Sequence, residues 1–256
     1  GSSISGALQN YSSIAGLAGI SLPSEGSPKS NSKRALKTMT SLSFFKDNLM
    51  PEILLQDLMA VKSWNYKTNS LIYDESIFNE NTKTWVRNYS YPKKQIPSAQ
   101  ESFKVFKSKH LIIEKDKITG FITLTVRHQS PHVAMNWANL IVNEINAFYR
   151  QKDEFESLQA VNFLNSQIAT SSLSEVRQVI AELLKQETQK LALIEAKQAY
   201  VFDYIDPPAV MEQKSEPKRS IICILRAIFG LIFSMTVVLS KHYLILQREP
   251  NESQNV

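Results

Sequence analysis

The chain has 256 residues, 43% of them hydrophobic and 21% charged, enough for one good core with room for a helical extension. Its net charge of +5 is spread along segments where Lys and Arg alternate with Glu and Asp. No basic block interleaved with aromatics occurs, which argues against nucleic acid as a partner, and the single cysteine, Cys223, excludes an intrachain disulfide.

In chain order, the first thirty or so residues are small and polar, with room for one short helix over Ile14, Leu17, Ala18 and Ile20. From Ser32 to Met59 the pattern is helical: Leu36, Met39, Leu42 and Phe45 recur at steps of three, and Pro51 is expected to open a second helix through Ile53, Leu54 and Leu58. Trp64 to Pro97, rich in Asn, Tyr and Lys, reads as loop with at most one short helix. Two β-branched runs, Leu111–Glu114 and Phe121–Val126, flank the turn Lys115–Gly120 and read as paired strands.

Ser130 and Pro131 then mark a helix start by cap and first-turn proline. The apolar stripe Ala134, Trp137, Ala138, Ile141, Ile145 and Phe148 continues through Phe155, Leu158, Val161, Leu164 and Ile168, which makes this helix unusually long. Thr170-Ser171-Ser172 interrupts it, and Ser174 is placed to cap a second helix with Val176, Ile180, Leu183, Leu191 and Ile194 on one face. The two helices form either a hairpin or one bent rod. Tyr200–Ile205 alternates like a strand returning to a sheet, and Asp206-Pro207-Pro208 ends it. The predicted fold class is α+β: an α/β base with a helical extension over about residues 130–198, then a C-terminal transmembrane helix.

That last element is an apolar run from Ile221 to Leu239 with 12 Leu, Ile, Val or Phe residues. Nineteen residues of helix span about 28 Å, close to the hydrocarbon thickness of a bilayer. The apolar residues contribute about −5 kcal/mol to insertion, enough to offset Arg226 at about +3, and Arg226 lies near one end, where it can snorkel. Gly230 allows close helix approach but lacks a second small residue four positions away. Lys214, Lys218 and Arg219 before the span balance Lys241 and Arg248 after it, so local charge sets no orientation. The domain reading is 1–206 for the polar domain, 207–219 for a Pro-rich juxtamembrane segment, 220–240 for the span and 241–256 for a short tail.

Few residues suggest chemistry. No Gly-rich phosphate loop is present. His128 and His132 are four apart but separated by Pro131, so they read as two exposed polar side chains and not as metal ligands; His110 and His242 read as isolated. Asp203 and Asp206 make a possible carboxylate pair at a strand end. Trp137 reads as core, and Lys83, Trp85 and Arg87 as surface residues with some capacity to contact a glycan. No catalytic, cofactor-binding or metal residue is assigned, and no cofactor is expected.

Four stretches, taken together, resemble the Wzz-type chain-length determinants, polysaccharide co-polymerases of Gram-negative inner membranes. They are Ile14-Ala15-Gly16-Leu17-Ala18-Gly19-Ile20; Asp116–Gly120 with Ser130-Pro131, Ala134 and Trp137; Ser174–Arg177 with Gln186, Ala192 and Ala199–Phe202; and Ile205-Asp206-Pro207-Pro208 through Pro217-Lys218-Arg219. Asp206, Pro207, Pro208, Pro217, Lys218 and Arg219 match the family's membrane-entry motif. The family's first membrane helix and first strand have no counterpart here, so the resemblance implies an N-terminally incomplete chain with residues 1–219 in the periplasm. It further implies a non-catalytic homo-oligomer that works with the inner-membrane glycan polymerase on lipid-linked polysaccharide and sets the modal length of O-antigen or a related glycan. A capsule or exopolysaccharide co-polymerase acting with a separate tyrosine kinase is the near alternative; a fused kinase is not expected unless the chain is cut after residue 256. A tail-anchored cytosolic adaptor without a glycan role is the distant one.

Overall fold

The computed structural model describes residues 28–197, 199–212 and 219–246. The small-residue stretch Ile14–Ile20, Pro217 and Lys218 lie outside the described residues, as does the side chain of His242. The chain divides into two units, Gly1–Val210 and Met211–Val256.

The first unit is α+β, and its core is built around two irregular helices. Helix α1 (Pro28–Met39) buries Ala35 and Met39, four residues apart and so on one face. The Ser41 hydroxyl accepts the Phe44 N–H at 3.3 Å and starts the short helix α2 (Leu42–Phe44). This runs directly into a π-helical turn, Phe45–Leu49, closed by Met50 N–H donating to Phe45 C=O at 2.7 Å. Pro51 does not open the next helix. Glu52 and Ile53 N–H both donate to Leu49 C=O, so Pro51, which lacks an N–H, sits in the terminating turn; helix α3 (Leu55–Met59) begins later.

The stretch from Trp64 to Pro97, expected as loop with at most one short helix, instead takes part in two small hairpins. Strands β1 (Val61–Asn65) and β2 (Ser70–Tyr73) pair antiparallel, as do β3 (Phe78–Asn79) and β4 (Thr84–Trp85). A third hairpin, β5 (Leu111–Lys115) with β6 (Ile122–Val126), falls where the β-branched runs predicted it. The three pairs are separate two-stranded ladders, and among the described residues they do not join into the continuous sheet that was expected.

All three hairpins turn by the same chemistry. Asn65 accepts from Lys67 N–H, Asn79 from Asn81 and Thr82 N–H, and Asp116 from Ile118 N–H. Each is followed three positions later by a threonine (Thr68, Thr82, Thr119) and four positions later by a left-handed residue: Asn69 at φ 50°, Lys83 at 56° and Gly120 at 77°. The short polar side chain bonds its own backbone and the left-handed residue reverses the chain.

After the third hairpin the chain enters α5 (Pro131–Thr170), a helix of 40 residues and about 60 Å. Ser130 holds the N-cap position with Pro131 behind it, although its hydroxyl makes no cap bond. Before it, helix α4 (Ala99–Val105) is capped by Ser98 and passes into a second π-helical turn, Phe106–His110. Phe45 and Phe106 open the two π turns, are fully buried, and lie 5.1 Å apart ring to ring. Trp137, Ile141, Ile145 and Tyr149 from the first half of α5 share one buried cluster with them, and Phe44 meets Phe148 edge-on at 5.9 Å. Each ring so buried contributes about 1.5–3 kcal/mol.

Helix α6 (Ser174–Ala196) folds back antiparallel on α5, which resolves the hairpin-or-rod alternative as a hairpin. Leu173 is its N-cap, so Ser174 is the first helical residue and not the cap. Along the hairpin beyond the core only Ser157, Leu164, Glu187 and Ile194 are buried among the described residues, while Phe155, Leu158 and Leu193 stay exposed.

The expected strand Tyr200–Ile205 is not a strand. It runs as irregular chain along the flank of α5, bound to side chains in place of a strand edge. Arg150 donates to Lys197 C=O at 2.7 Å, Tyr200 Oη donates to Asp153 at 2.6 Å, and Tyr204 Oη donates to Asn139 at 3.2 Å. At the centre, the buried Asn146 carboxamide accepts from Val201 and Phe202 N–H at 2.8 and 2.9 Å and donates to Phe202 C=O at 2.8 Å. Three backbone groups that would otherwise need a neighbouring strand are satisfied by one side chain.

The second unit contains α7 (Arg219–Leu246). Its stretch Cys223–Lys241 is long and apolar enough to cross a membrane, and none of it is buried within the chain. The Ser234 and Thr236 hydroxyls donate back to Leu231 and Ile232 C=O, so no polar group of theirs needs water.

Two substitutions test these contacts. Asn146→Ala is expected to lower unfolding free energy by about 2–4 kcal/mol, from three lost bonds and the backbone groups left bare, read as a drop in the urea midpoint and as faster proteolysis after Tyr200. Lys83→Gly relieves a left-handed lysine and is expected to raise stability by about 0.5 kcal/mol, net of glycine's added chain entropy, in the same assay.

Candidate functional site

The residues with glycan-contact capacity do not converge. Lys83 serves the β3–β4 turn, and Trp85 is half-buried, its ring 5.3 Å edge-on to Phe78. Arg87 is committed: its guanidinium donates to both Glu101 carboxylate oxygens at 2.5 and 2.8 Å, to Gln95 C=O at 2.9 Å and to Lys94 C=O at 2.6 Å. This bidentate pair, with both side chains largely covered, holds the Glu101 carboxyl below its usual range. Asp203 and Asp206 are both exposed, and Asp203 is occupied by Tyr204 N–H at 2.8 Å.

Of the membrane-entry residues, Asp206 and Pro207 are exposed, Pro208 is half-buried and Arg219 is the first residue of α7. Arg226 is exposed within the apolar stretch. A Cβ added at Gly230 would meet nothing within 4 Å, so this glycine serves no close helix approach within the chain.

One polar cluster escaped the sequence pattern, which pointed to an exposed His128 and an isolated His110. The two rings lie 5.8 Å apart, and both stand edge-on to Trp137, at 5.4 Å for His110 and 4.9 Å for His128. The π turn delivers His110 to the head of β5, while β6 delivers His128 opposite it. His128 Nε2 donates to Asp57 C=O at 3.1 Å, and its Nδ1 accepts the Ser130 N–H at 3.1 Å. That assignment requires neutral imidazole: a proton on Nδ1 would face a donor. His110 Nδ1 lies 2.7 Å from Arg127 C=O. Asp57 also receives Tyr73 Oη at 2.6 Å, so α3, β2, β6 and the start of α5 meet around these rings. His132 is exposed and 6.2 Å from Trp64, apart from the pair. The pairing of His110 and His128 could have been suspected from their positions at matching ends of the two predicted strands.

Burial, the largest cause at both, depresses the pKa of His110 and His128. The arrangement is a neutral histidine latch on the N-terminus of α5. Among the described residues no group of three His, Cys, Asp or Glu side chains is placed to hold a metal ion.

No protein-family model matches the chain, and no curated protein is significantly similar to it.

The latch gives stability a pH dependence with a definite sign. Below the ordinary imidazole value near 6.5 the unfolded chain takes up protons that the folded state refuses, so stability rises with pH up to that value and levels off above it. Melting temperature is therefore expected to fall between pH 7 and pH 5.5. His110→Gln with His128→Gln should flatten that slope, measured by thermal unfolding at each pH.

Proposed function

We propose that the protein is a membrane-anchored, non-catalytic scaffold that regulates polysaccharide chain length in a bacterial inner membrane, with residues 1–219 on the periplasmic side. The observation that carries this reading is the α5–α6 hairpin. One helix is seated by nearly its first half in a dense aromatic core, then runs on paired only with its own return arm among the described residues. Such an element provides length and surface more readily than a catalytic pocket. A separate helix apolar enough for a bilayer supplies an anchor.

In this reading the arms present apolar positions such as Phe155, Leu158 and Leu193 to other copies, and the assembly holds the glycan polymerase or the growing lipid-linked glycan at fixed stoichiometry. Such a role requires surfaces rather than acid–base groups, in keeping with the commitment of Arg87, Glu101 and Asn146 to the fold. Asp206-Pro207-Pro208 and Arg219 act as the stiff entry to the membrane.

Deletion of the gene is expected to broaden or shift the length distribution of the surface glycan ladder on gels, with return to the original mode on complementation. An unchanged ladder overturns the reading. Protease treatment of intact spheroplasts should digest residues 1–219; protection until the membrane is broken would instead favour a cytosolic adaptor.

A further inference from the structure

The connection between β4 and α4 is built to present side chains outward. From Asn81 to Gln100 the sequence holds Lys83, Arg87, Lys93 and Lys94 and no acidic residue. Tyr91 is 97% exposed, Ile96 61%, Tyr89 56% and Val86 44%. Isolated exposed apolar residues are ordinary, but here four exposed ones and two lysines fall within eleven positions of one loop.

The loop carrying them is braced. Arg87 donates to Lys94 and Gln95 C=O from inside it and to Glu101 beyond it, Gln95 Nε2 donates to Trp85 C=O at 2.5 Å, and Lys93 N–H donates to Ser90 C=O at 2.9 Å. These bonds fix the backbone without drawing the tyrosines or Ile96 into the core. Arg87 is neutralised by Glu101, which leaves Lys83, Lys93 and Lys94, all exposed, as the outward charge.

We propose that this loop is a second membrane contact, docking on anionic lipid headgroups with Tyr89, Tyr91 and Ile96 in the interfacial layer and Lys93 and Lys94 on phosphates. The chemistry fits a lipid surface. Tyrosine, apolar in body and polar at the tip, favours the headgroup level, and each lysine near an anionic surface contributes about 1 kcal/mol. A sugar or other small solute calls for a concave site that covers most of it, whereas Tyr91 stands almost wholly uncovered. Weak contacts suffice, because a chain already held by α7 meets the bilayer at high effective concentration. The proposal rests on α7 being a span.

The test uses the full chain with Cys223→Ser, a nitroxide attached after Tyr91→Cys, and lipid nanodiscs of phosphatidylcholine with or without phosphatidylglycerol. A label after Ile118→Cys, at a residue 96% exposed on the β5–β6 turn, gives the water reference. With phosphatidylglycerol present, access of a water-soluble nickel chelate to position 91 should fall about tenfold relative to position 118, while oxygen access rises. Lys93→Glu with Lys94→Glu should restore nickel access. Equal nickel access at both positions in both lipids overturns the proposal. Loss of nickel and oxygen access together also overturns it, and would assign the loop to a protein contact. Co-elution of protein with lipid checks the span separately: without it, anchor and docking both fall; with it and an exposed label, the docking alone does.

Discussion

The return of the chain from α6 depends on Asn146. Two antiparallel helices that bury few residues between them would splay if nothing fixed both ends of the pair. The connecting Ser171-Ser172 fixes one end covalently. At the other, the Asn146 carboxamide holds two N–H groups and one C=O of Val201 and Phe202 inside the core. With that segment in place, Tyr200, Val201 and Phe202 complete the packing against α5.

The same device recurs wherever the fold turns irregular. Arg87 terminates carbonyls in the loop before α4, His128 bridges the Asp57 carbonyl and the Ser130 amide, and Asn65, Asn79 and Asp116 satisfy their own hairpin turns. With two-stranded ladders alone among the described residues, backbone groups that a larger sheet would pair are met by side chains. Stability is distributed accordingly. The base is dense and heavily bonded, and the distal hairpin has few buried contacts, so it belongs at the low end of local unfolding free energy.

Much of this was legible in the sequence, for identifiable reasons. Strands β5 and β6, the start of α5 at Pro131 and the break near Ser171 were each marked by two agreeing signals, such as β-branched alternation with an Asp and a Gly between. The hairpins β1–β2 and β3–β4 were not read because their strands are short and their left-handed positions are filled by Asn69 and Lys83 where glycine would have announced the turn. The recurring Asn or Asp followed by Thr three residues later was the available signal. Tyr200–Ile205 misled because alternation reports a segment with one face covered, and the flank of α5 bearing Asn146 covers it as a sheet would. The histidine latch was missed because each histidine was read singly, although the predicted pairing of β5 with β6 brings their ends together. For the apolar stretch of α7, composition and length alone carried the reading, and the described helix agrees with them.

The two π turns have a consequence for how this sequence can change over time. A π turn closes its bond five residues back where an α turn closes four, so each behaves as a single-residue insertion accommodated within a helix. Phe45 and Phe106 begin those turns and touch each other. Both turns stand at the C-terminal ends of their helices, so losing one residue from either would restore ordinary α bonding there and remove the widened turn that seats Phe45 against Phe106. The pair can be shortened neither singly nor gradually. Insertions and deletions in descendants of this chain should accordingly avoid 45–49 and 106–110 and accumulate in the distal arms of the hairpin.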